Sequence, residues 1–168
     1  MSLQASPSTP IPAETVRVAH AAFPKGILCM QMRDTLGPLY EDAQFAALFS
    51  STGQPAEAPA RLALVLVLQF AEGLSDRQAA DAVRGRIDWK YALALELTDP
   101  GFDASVLSEF RTRLIQGGAE HLLLEPLLRR LEEHDLLKAR GTQRTDSTHI
   151  LAAIRTLKAH DFGLELQF

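Results

Sequence analysis

The sequence lacks several features that would indicate a function directly. It has one cysteine, Cys29, in 168 residues. A single cysteine excludes an internal disulfide framework and a cysteine-rich zinc site. There is no glycine-rich phosphate loop, and no Ser/His/Asp or Cys/His arrangement typical of nucleophilic catalysis.

Long apolar runs and a signal peptide are also missing. The longest apolar run spans residues 62–68, whereas a transmembrane helix needs about 18 apolar residues. The first 12 residues are polar and lack the basic end and apolar stretch of a secretory signal. We therefore expect a cytoplasmic protein that does not contact a membrane.

Aromatic residues and net positive charge are scarce as well. Aromatics make up 7% of the chain, while hydrophobic residues, mainly Ala and Leu, make up 46%. This composition favours a mainly α fold over a β-sandwich. Because the formal net charge is -4, the whole chain is not a polybasic nucleic-acid binder.

Three segments are predicted along the chain. Residues 1–12 are rich in Ser and Pro and are expected to form a disordered tail. Residues 13–138 form a predicted helical domain. Within it we expect helices at 59–72, 76–84, 89–97, 105–116 and 119–138, with a kink or a helix start near Pro126. Residues 139–168 follow as a separate segment.

The two helices at 59–72 and 76–84 are joined by a short connection that starts with Gly73. The first is apolar nearly all round, which predicts a buried central helix. Ser75 and Gln78 have the spacing of a capping box at the start of the second. Such a pair is either a helix-turn-helix or a plain helical hairpin with a solvated polar face. In a helix-turn-helix, five side chains would face DNA: Arg77, Gln78, Arg84, Arg86 and Lys90.

Asp146 is the most suggestive single residue for catalysis. It lies within the β-branched stretch 143–150, which predicts a strand. Carboxylates on such strands can ligate a divalent metal for phosphoryl transfer; a turn or edge-strand aspartate is the alternative. A helical stretch at 151–158 is expected to follow.

Several motifs together resemble one family. They are Gly73-Leu74-Ser75-Asp76-Arg77-Gln78-Ala79-Ala80-Asp81-Ala82-Val83-Arg84, Arg86-Ile87-Asp88-Trp89-Lys90-Tyr91, Leu97-Thr98-Asp99-Pro100-Gly101-Phe102-Asp103, Ser105-Val106-Leu107-Ser108-Glu109-Phe110-Arg111 and Thr145-Asp146-Ser147-Thr148-His149. From about residue 36 to residue 158, the chain resembles bacterial insertion-sequence transposases of the IS1182 and IS5-like type. In that family a helical N-terminal domain precedes a ribonuclease H-like core.

The resemblance implies a specific chemistry. The family's core uses an Asp-Asp-Glu triad to hold two Mg²⁺ ions for DNA strand cleavage and transfer. Asp146 matches the first aspartate of that triad, as a catalytic residue and metal ligand on the first strand of the core. The resemblance thus implies that residues 139–168 are the start of a truncated catalytic core. The family implies binding to terminal inverted repeats. Because the sequence stops at Phe168, we expect the second Asp and the Glu to be missing. The chain alone is then expected to hold no stable Mg²⁺ and to be inactive.

A second hypothesis assigns the chain no DNA contact. The acidic net charge and the Leu-rich stretch 122–137, if exposed, favour a helical protein-interaction module. Its partner would be a second copy of the chain or a full-length transposase.

Overall fold

The computed structural model describes residues 2–3, 10–50, 52–53 and 55–136, and this part of the chain is mainly helical, as predicted. It contains no β-strand. The predicted strand at 143–150, the helix at 151–158 and Asp146 lie outside the described residues. The α-helices are α1 Ala13–Ala22, α2 Leu28–Leu36, α3 Pro59–Glu72, α4 Asp76–Gly85, α5 Ile87–Ala92, α6 Ser105–Gln116 and α7 His121–Glu133, and a 3₁₀ helix spans Asp42–Leu48.

Helix α3 lies at the centre of the fold and has the predicted bounds. Pro59 occupies its first turn, where a missing N–H costs nothing. Its N-cap residue is Ala58, which has no side-chain acceptor. The buried carboxylate of Asp42 takes over this role from the 3₁₀ helix, because its Oδ1 accepts a hydrogen bond from the backbone N of Ala60 at 3.0 Å. A distant residue therefore caps the central helix.

The main hydrophobic core surrounds α3. Trp89, Phe45 and Phe110 are its largest fully buried side chains. The rings of Phe45 and Phe110 meet edge to face, with their centroids 5.7 Å apart. That geometry adds to the free energy gained from burial. The 3₁₀ helix and α6 are thereby fixed on the same side of α3.

A smaller core joins α1, α2 and α5. Ala19, Met30 and Tyr91 are its buried members, one from each helix. The buried hydroxyl of Thr15 donates a hydrogen bond to the carbonyl oxygen of Leu95 at 2.7 Å. This bond ties α1 to the segment that follows α5.

Helix α5 is shorter than predicted. The expected range was 89–97, but the helix ends at Ala92. Ala94 takes a left-handed conformation with a φ of 53°, and the N–H of Leu95 donates to the carbonyl of Lys90 at 2.8 Å. These features form a C-terminal cap that normally uses glycine. The spacing of apolar residues did not predict this helix end, because alanine stands where a glycine would have indicated it.

Helix α7 runs through Pro126, so the expected helix start near that residue is wrong; a kink there stays a prediction. Proline has no N–H for the carbonyl one turn earlier. The Tyr40 hydroxyl donates to the nearby Leu123 carbonyl at 2.6 Å. Leu127 and Leu131 are buried in the main core, and Leu124 is the large apolar side chain of this helix that is exposed. The described part of the Leu-rich stretch is thus mostly covered.

Part of the predicted disordered tail makes ordered contacts. Ser2 forms β-bridges with Ser50 and Pro55. Its carbonyl accepts from the N of Ala56 at 2.8 Å, and its hydroxyl donates to the carbonyl of Gly53 at 2.8 Å. Backbone hydrogen bonds at Ser2 and the packing of Ile11 against the smaller core hold these parts of the segment.

Ala94→Gly is expected to stabilise the protein. Glycine removes the steric cost of a Cβ in the left-handed region but increases the entropy of the unfolded chain, so the net gain should be about 0.5–1 kcal/mol. Urea unfolding measures the change. Ala92→Gly, inside α5, is the control and should lose about 1 kcal/mol. Equal losses from both variants would contradict the cap assignment.

Candidate nucleic-acid interface on helix α4

Helices α3 and α4 are joined by a three-residue turn, residues 73–75. Gly73 is left-handed, with a φ of 68°, which glycine adopts without strain. The Gln69 side chain donates through Nε2 to the Leu74 carbonyl at 3.1 Å and to Asp76 Oδ1 at 2.7 Å. A buried helix, a short glycine turn and a second helix are the components of a helix-turn-helix.

The predicted capping box at the start of α4 is confirmed. The Gln78 N–H donates to Ser75 Oγ at 3.3 Å, and the Ser75 N–H donates to Gln78 Oε1 at 2.9 Å. The Ser75 hydroxyl also donates to Gln78 Oε1, at 2.9 Å. The amide oxygen of Gln78 is therefore occupied by the cap.

The two faces of α4 differ sharply in polarity. The buried face consists of small apolar residues, which let the helix pack closely on α3 and α6: Ala79, Ala80, Ala82 and Val83. The exposed face carries Arg77, Gln78, Asp81 and Arg84. Helix α4 therefore presents a polar face to solvent and has no apolar residue there.

An ion pair fixes the start of α4 on α6. Arg111 Nη1 donates to Asp76 Oδ1 at 2.8 Å. The hydrogen bond from Arg111 holds the pKa of Asp76 below its ordinary value, against a smaller opposing effect of burial. A carboxylate in the first helical turn also interacts favourably with the helix dipole.

Two of the five predicted DNA contacts have exposed guanidinium groups. Arg77 is exposed, and within the described residues no hydrogen bond or ion pair engages it. Arg84 is exposed too, but it pairs with Asp81 at 3.0 Å and donates through Nε to the Pro100 carbonyl at 3.2 Å. These residues are seven positions apart, so they share a face of the helix.

Arg86 lies between α4 and α5 and is engaged in internal contacts. It forms ion pairs with Glu72, at the end of α3, and with Asp88. Its guanidinium also stacks over the Trp89 ring, 5.3 Å from the centroid, and the Trp89 indole N–H donates to Glu72 Oε1 at 3.0 Å. Sequence reasoning missed this cluster because Glu72 and Arg86 are 14 residues apart.

Lys90 is also turned inward. It is 3% exposed, and its ammonium donates to the Asp99 carbonyl at 2.7 Å. Burial lowers the pKa of this ammonium. The contact holds the turn before α6, in which the N–H of Gly101 donates to Asp99 Oδ1 at 2.8 Å.

Asp103, which precedes α6, is near enough to the exposed face of α4 to interact with its charges. Its pKa is lowered, first by a hydrogen bond from the Ser105 N–H and also by the charges of Arg84 and Arg77. The charges of Arg77 and Arg84 on α4 therefore interact with that of Asp103, which precedes α6.

The buried Cys29 thiol and Tyr91 phenol are not activated nucleophiles. Burial and the neighbouring Asp88 carboxylate raise the pKa of Cys29. Burial, followed by the hydrogen bond to Asp34, raises the pKa of Tyr91 to about 12. Both groups stay protonated near neutral pH and act as hydrogen-bond donors.

The described residues contain neither a metal-binding cluster nor a membrane-spanning helix. Among these residues, no group of three or more His, Cys, Asp or Glu side chains could hold a metal ion. None of the described helices has the length and apolar character to cross a bilayer. Asp146, the predicted metal ligand, is outside them.

A family model described as a transposase domain, DUF772, matches residues 17–113, more than half of the chain. The chain belongs to this transposase-domain family. No curated protein and no solved structure matches it. The matched range of the DUF772 domain includes the α3–α4 turn, the exposed face of α4 and the Arg86 cluster. A transposase N-terminal region, as the resemblance implied, is therefore confirmed.

Asp88→Asn should destabilise the protein in a pH-dependent way. Burial opposes the charge of Asp88, but hydrogen bonds from Arg86 and Cys29 outweigh it and leave the pKa below the ordinary 3.8. The charged form therefore stabilises the fold above that value, and this contribution is lost as the pH falls below it. We expect a loss of about 1–3 kcal/mol at pH 7, which shrinks as the pH drops below about 4.

Urea unfolding across pH measures this difference. Asp81→Asn is the matched control because Asp81 forms an exposed ion pair; it should change the stability by less than about 0.5 kcal/mol. A loss for Asp88→Asn that does not vary between pH 3 and 7 would contradict the charge-based explanation.

Proposed function

We propose that the chain acts in DNA transposition by binding insertion-sequence end DNA, the terminal inverted repeats, through the exposed face of α4. One observation carries the proposal. In a member of a transposase-domain family, a buried helix and a three-residue turn lead into a helix whose solvent face bears Arg77, Gln78 and Arg84. A helix that enters the major groove of DNA needs such a polar face, with donors for phosphates and base edges.

Hydrogen bonds within the protein engage two of the five predicted DNA-contacting residues, so we propose a smaller interface. Arg77, Gln78 and Arg84 stay in it because they are exposed. Arg86 and Lys90 have their donors directed at internal acceptors, so we assign them the role of holding α4 and the turn before α6. The proposed interface is thus smaller than the five residues predicted.

The finer family assignment is part of the proposal. The motifs from Gly73 to His149 support an IS1182 or IS5-like transposase with an Asp-Asp-Glu catalytic core. Asp146 would then be the first acid, with Mg²⁺ as the metal of the complete site. The purified chain alone is expected to be inactive, so strand-cleavage assays with end DNA and Mg²⁺ should yield no product; clear cleavage or joining would contradict the expected incomplete triad.

The alternative, a protein-interaction module without DNA contact, has weaker support. It depended on an exposed Leu-rich surface, and in the described part of that stretch Leu127 and Leu131 are buried while Leu124 is exposed. Light scattering during the DNA titrations below tests for a homo-oligomer in the same samples.

Arg77→Ala and Arg84→Ala should each weaken binding to an inverted-repeat duplex by about tenfold, because each removes a charged donor from the interface. Mobility-shift titrations across salt concentrations measure the affinity. For each variant that loses a phosphate contact, the slope of log affinity against log salt concentration should also fall, by the release of about one counterion. Arg129→Ala removes an equivalent exposed charge from α7 and should bind as the wild type does.

Two results would contradict the proposed interface. A wild-type chain that does not bind the duplex at low salt, where phosphate contacts are strongest, rules out the interface. Equal losses for Arg77→Ala and Arg129→Ala would indicate a general charge effect without a defined surface on α4.

Asp103→Asn should strengthen binding. It removes a negative charge next to Arg77 and Arg84, and the effect on affinity should be about threefold at low salt for a charge roughly 7 Å from a phosphate. Asparagine can still accept the hydrogen bond from the Ser105 N–H, so the start of α6 is preserved. The same mobility-shift titration measures the gain; a weaker complex would place DNA elsewhere on the domain.

A further inference from the structure

We propose that Arg77 is the residue of α4 that reads a base, and that the base is a guanine recognised through O6 and N7 in the major groove. The inference rests on the DNA-binding function proposed above and adds a division of roles within α4. Arg77 determines sequence specificity, whereas Arg84 contacts the phosphate backbone. Gln78 is assigned to the helix cap and does not read a base.

Within the described part of the chain, Arg77 is the arginine of α4 whose hydrogen-bond donors are free. An arginine carries five N–H donors in a planar fork. Within the described residues, no acceptor engages those of Arg77, although Asp103 is near enough for their charges to interact. Arg84, by contrast, already uses Nε for the Pro100 carbonyl and Nη1 for Asp81. The fork of Arg77 can therefore approach a base without breaking an internal contact.

Gln78 of α4 also has the chemistry to read a base. A glutamine recognises adenine by accepting from N6 and donating to N7, which requires its amide oxygen as well as its NH₂ group. In this structure Gln78 Oε1 accepts from both the N–H and the hydroxyl of Ser75. Reading adenine would remove the cap that starts α4, so base recognition by Gln78 opposes helix stability.

The position of Arg77 in α4 also favours contact with a base. Arg77 is the second residue of α4, and the N-terminal residues of the second helix contact base edges in helix-turn-helix proteins. Arg84 lies seven residues later on the same face, about 10 Å further along the helix axis. Its hydrogen bond to the Pro100 carbonyl holds it at the surface, which suits contact with a phosphate oxygen. The Glu72–Arg86–Asp88 contacts fix α4 relative to α3 and α5, so that both side chains approach the duplex in one orientation.

The experiment begins with selection of binding sites by the wild-type chain from a pool of randomised duplexes. Each guanine of the enriched site is then replaced by 7-deazaguanine, which lacks the N7 acceptor but pairs normally. We expect one replacement to weaken wild-type binding by about tenfold or more, as the loss of a bidentate contact should. Arg77→Ala removes every donor at this position, so it should become insensitive to that replacement, while its salt dependence should stay close to that of the wild type because no phosphate contact is lost.

Two further variants complete the test. Arg84→Lys should remain as sensitive to the 7-deazaguanine replacement as the wild type, because a phosphate contact requires only the charge. Gln78→Glu keeps an acceptor for the Ser75 N–H and should leave the preferred base pair unchanged. Circular dichroism confirms that each variant is folded; within the described residues, Arg77 makes no hydrogen bond or ion pair whose loss would unfold the domain.

The outcomes separate this inference from the function on which it rests. If the wild type selects a site but Arg77→Ala remains sensitive to the 7-deazaguanine replacement, the assignment of Arg77 is wrong while DNA binding by α4 stands. An adenine preference that disappears in Gln78→Glu would equally overturn it. If no duplex is enriched and none binds at low salt, the proposed function itself fails.

Discussion

The geometry of the domain depends on the guanidinium of Arg86, held between the carboxylates of Glu72 and Asp88. Glu72 ends α3, Arg86 lies between α4 and α5, and Asp88 in turn accepts from the Cys29 thiol of α2 at 3.2 Å. One charged group therefore links four helices. The Arg86 guanidinium pairs with both carboxylates, and the Trp89 indole N–H donates to Glu72, so the partly buried charges are compensated.

The basic residues near α4 therefore have two roles: some form internal contacts, and others are exposed to solvent. Arg86 and Lys90 neutralise or satisfy acceptors within the protein, and the energy of their contacts stabilises the fold. Arg77 and Arg84 lie on the solvent side of the same helix, where their charges contribute to the surface potential. In a chain with a net charge of -4, the exposed face of α4 thus carries two cations, with Asp81 and Asp103 beside them.

Periodicity and capping chemistry predicted the local elements well. The bounds of α3, the glycine turn and the capping box of Ser75 and Gln78 all follow from neighbouring residues, so they could be predicted from the sequence. The end of α5 could not, because a left-handed alanine gives no sequence signal. The Asp42 cap on α3 also depends on packing, since it joins residues 18 positions apart.

The sequence by itself determined the helical class, the α3–turn–α4 unit and the transposase-domain membership, because these depend on residue order and short-range spacing. Only the tertiary structure decided which arginines and lysines are available to a ligand. Exposure and hydrogen-bond partners depend on side chains brought together from α3, α4 and α5. Arg77 and Arg86 have the same chemistry in the sequence; the folded chain leaves the first exposed and engages the second with Glu72 and Asp88.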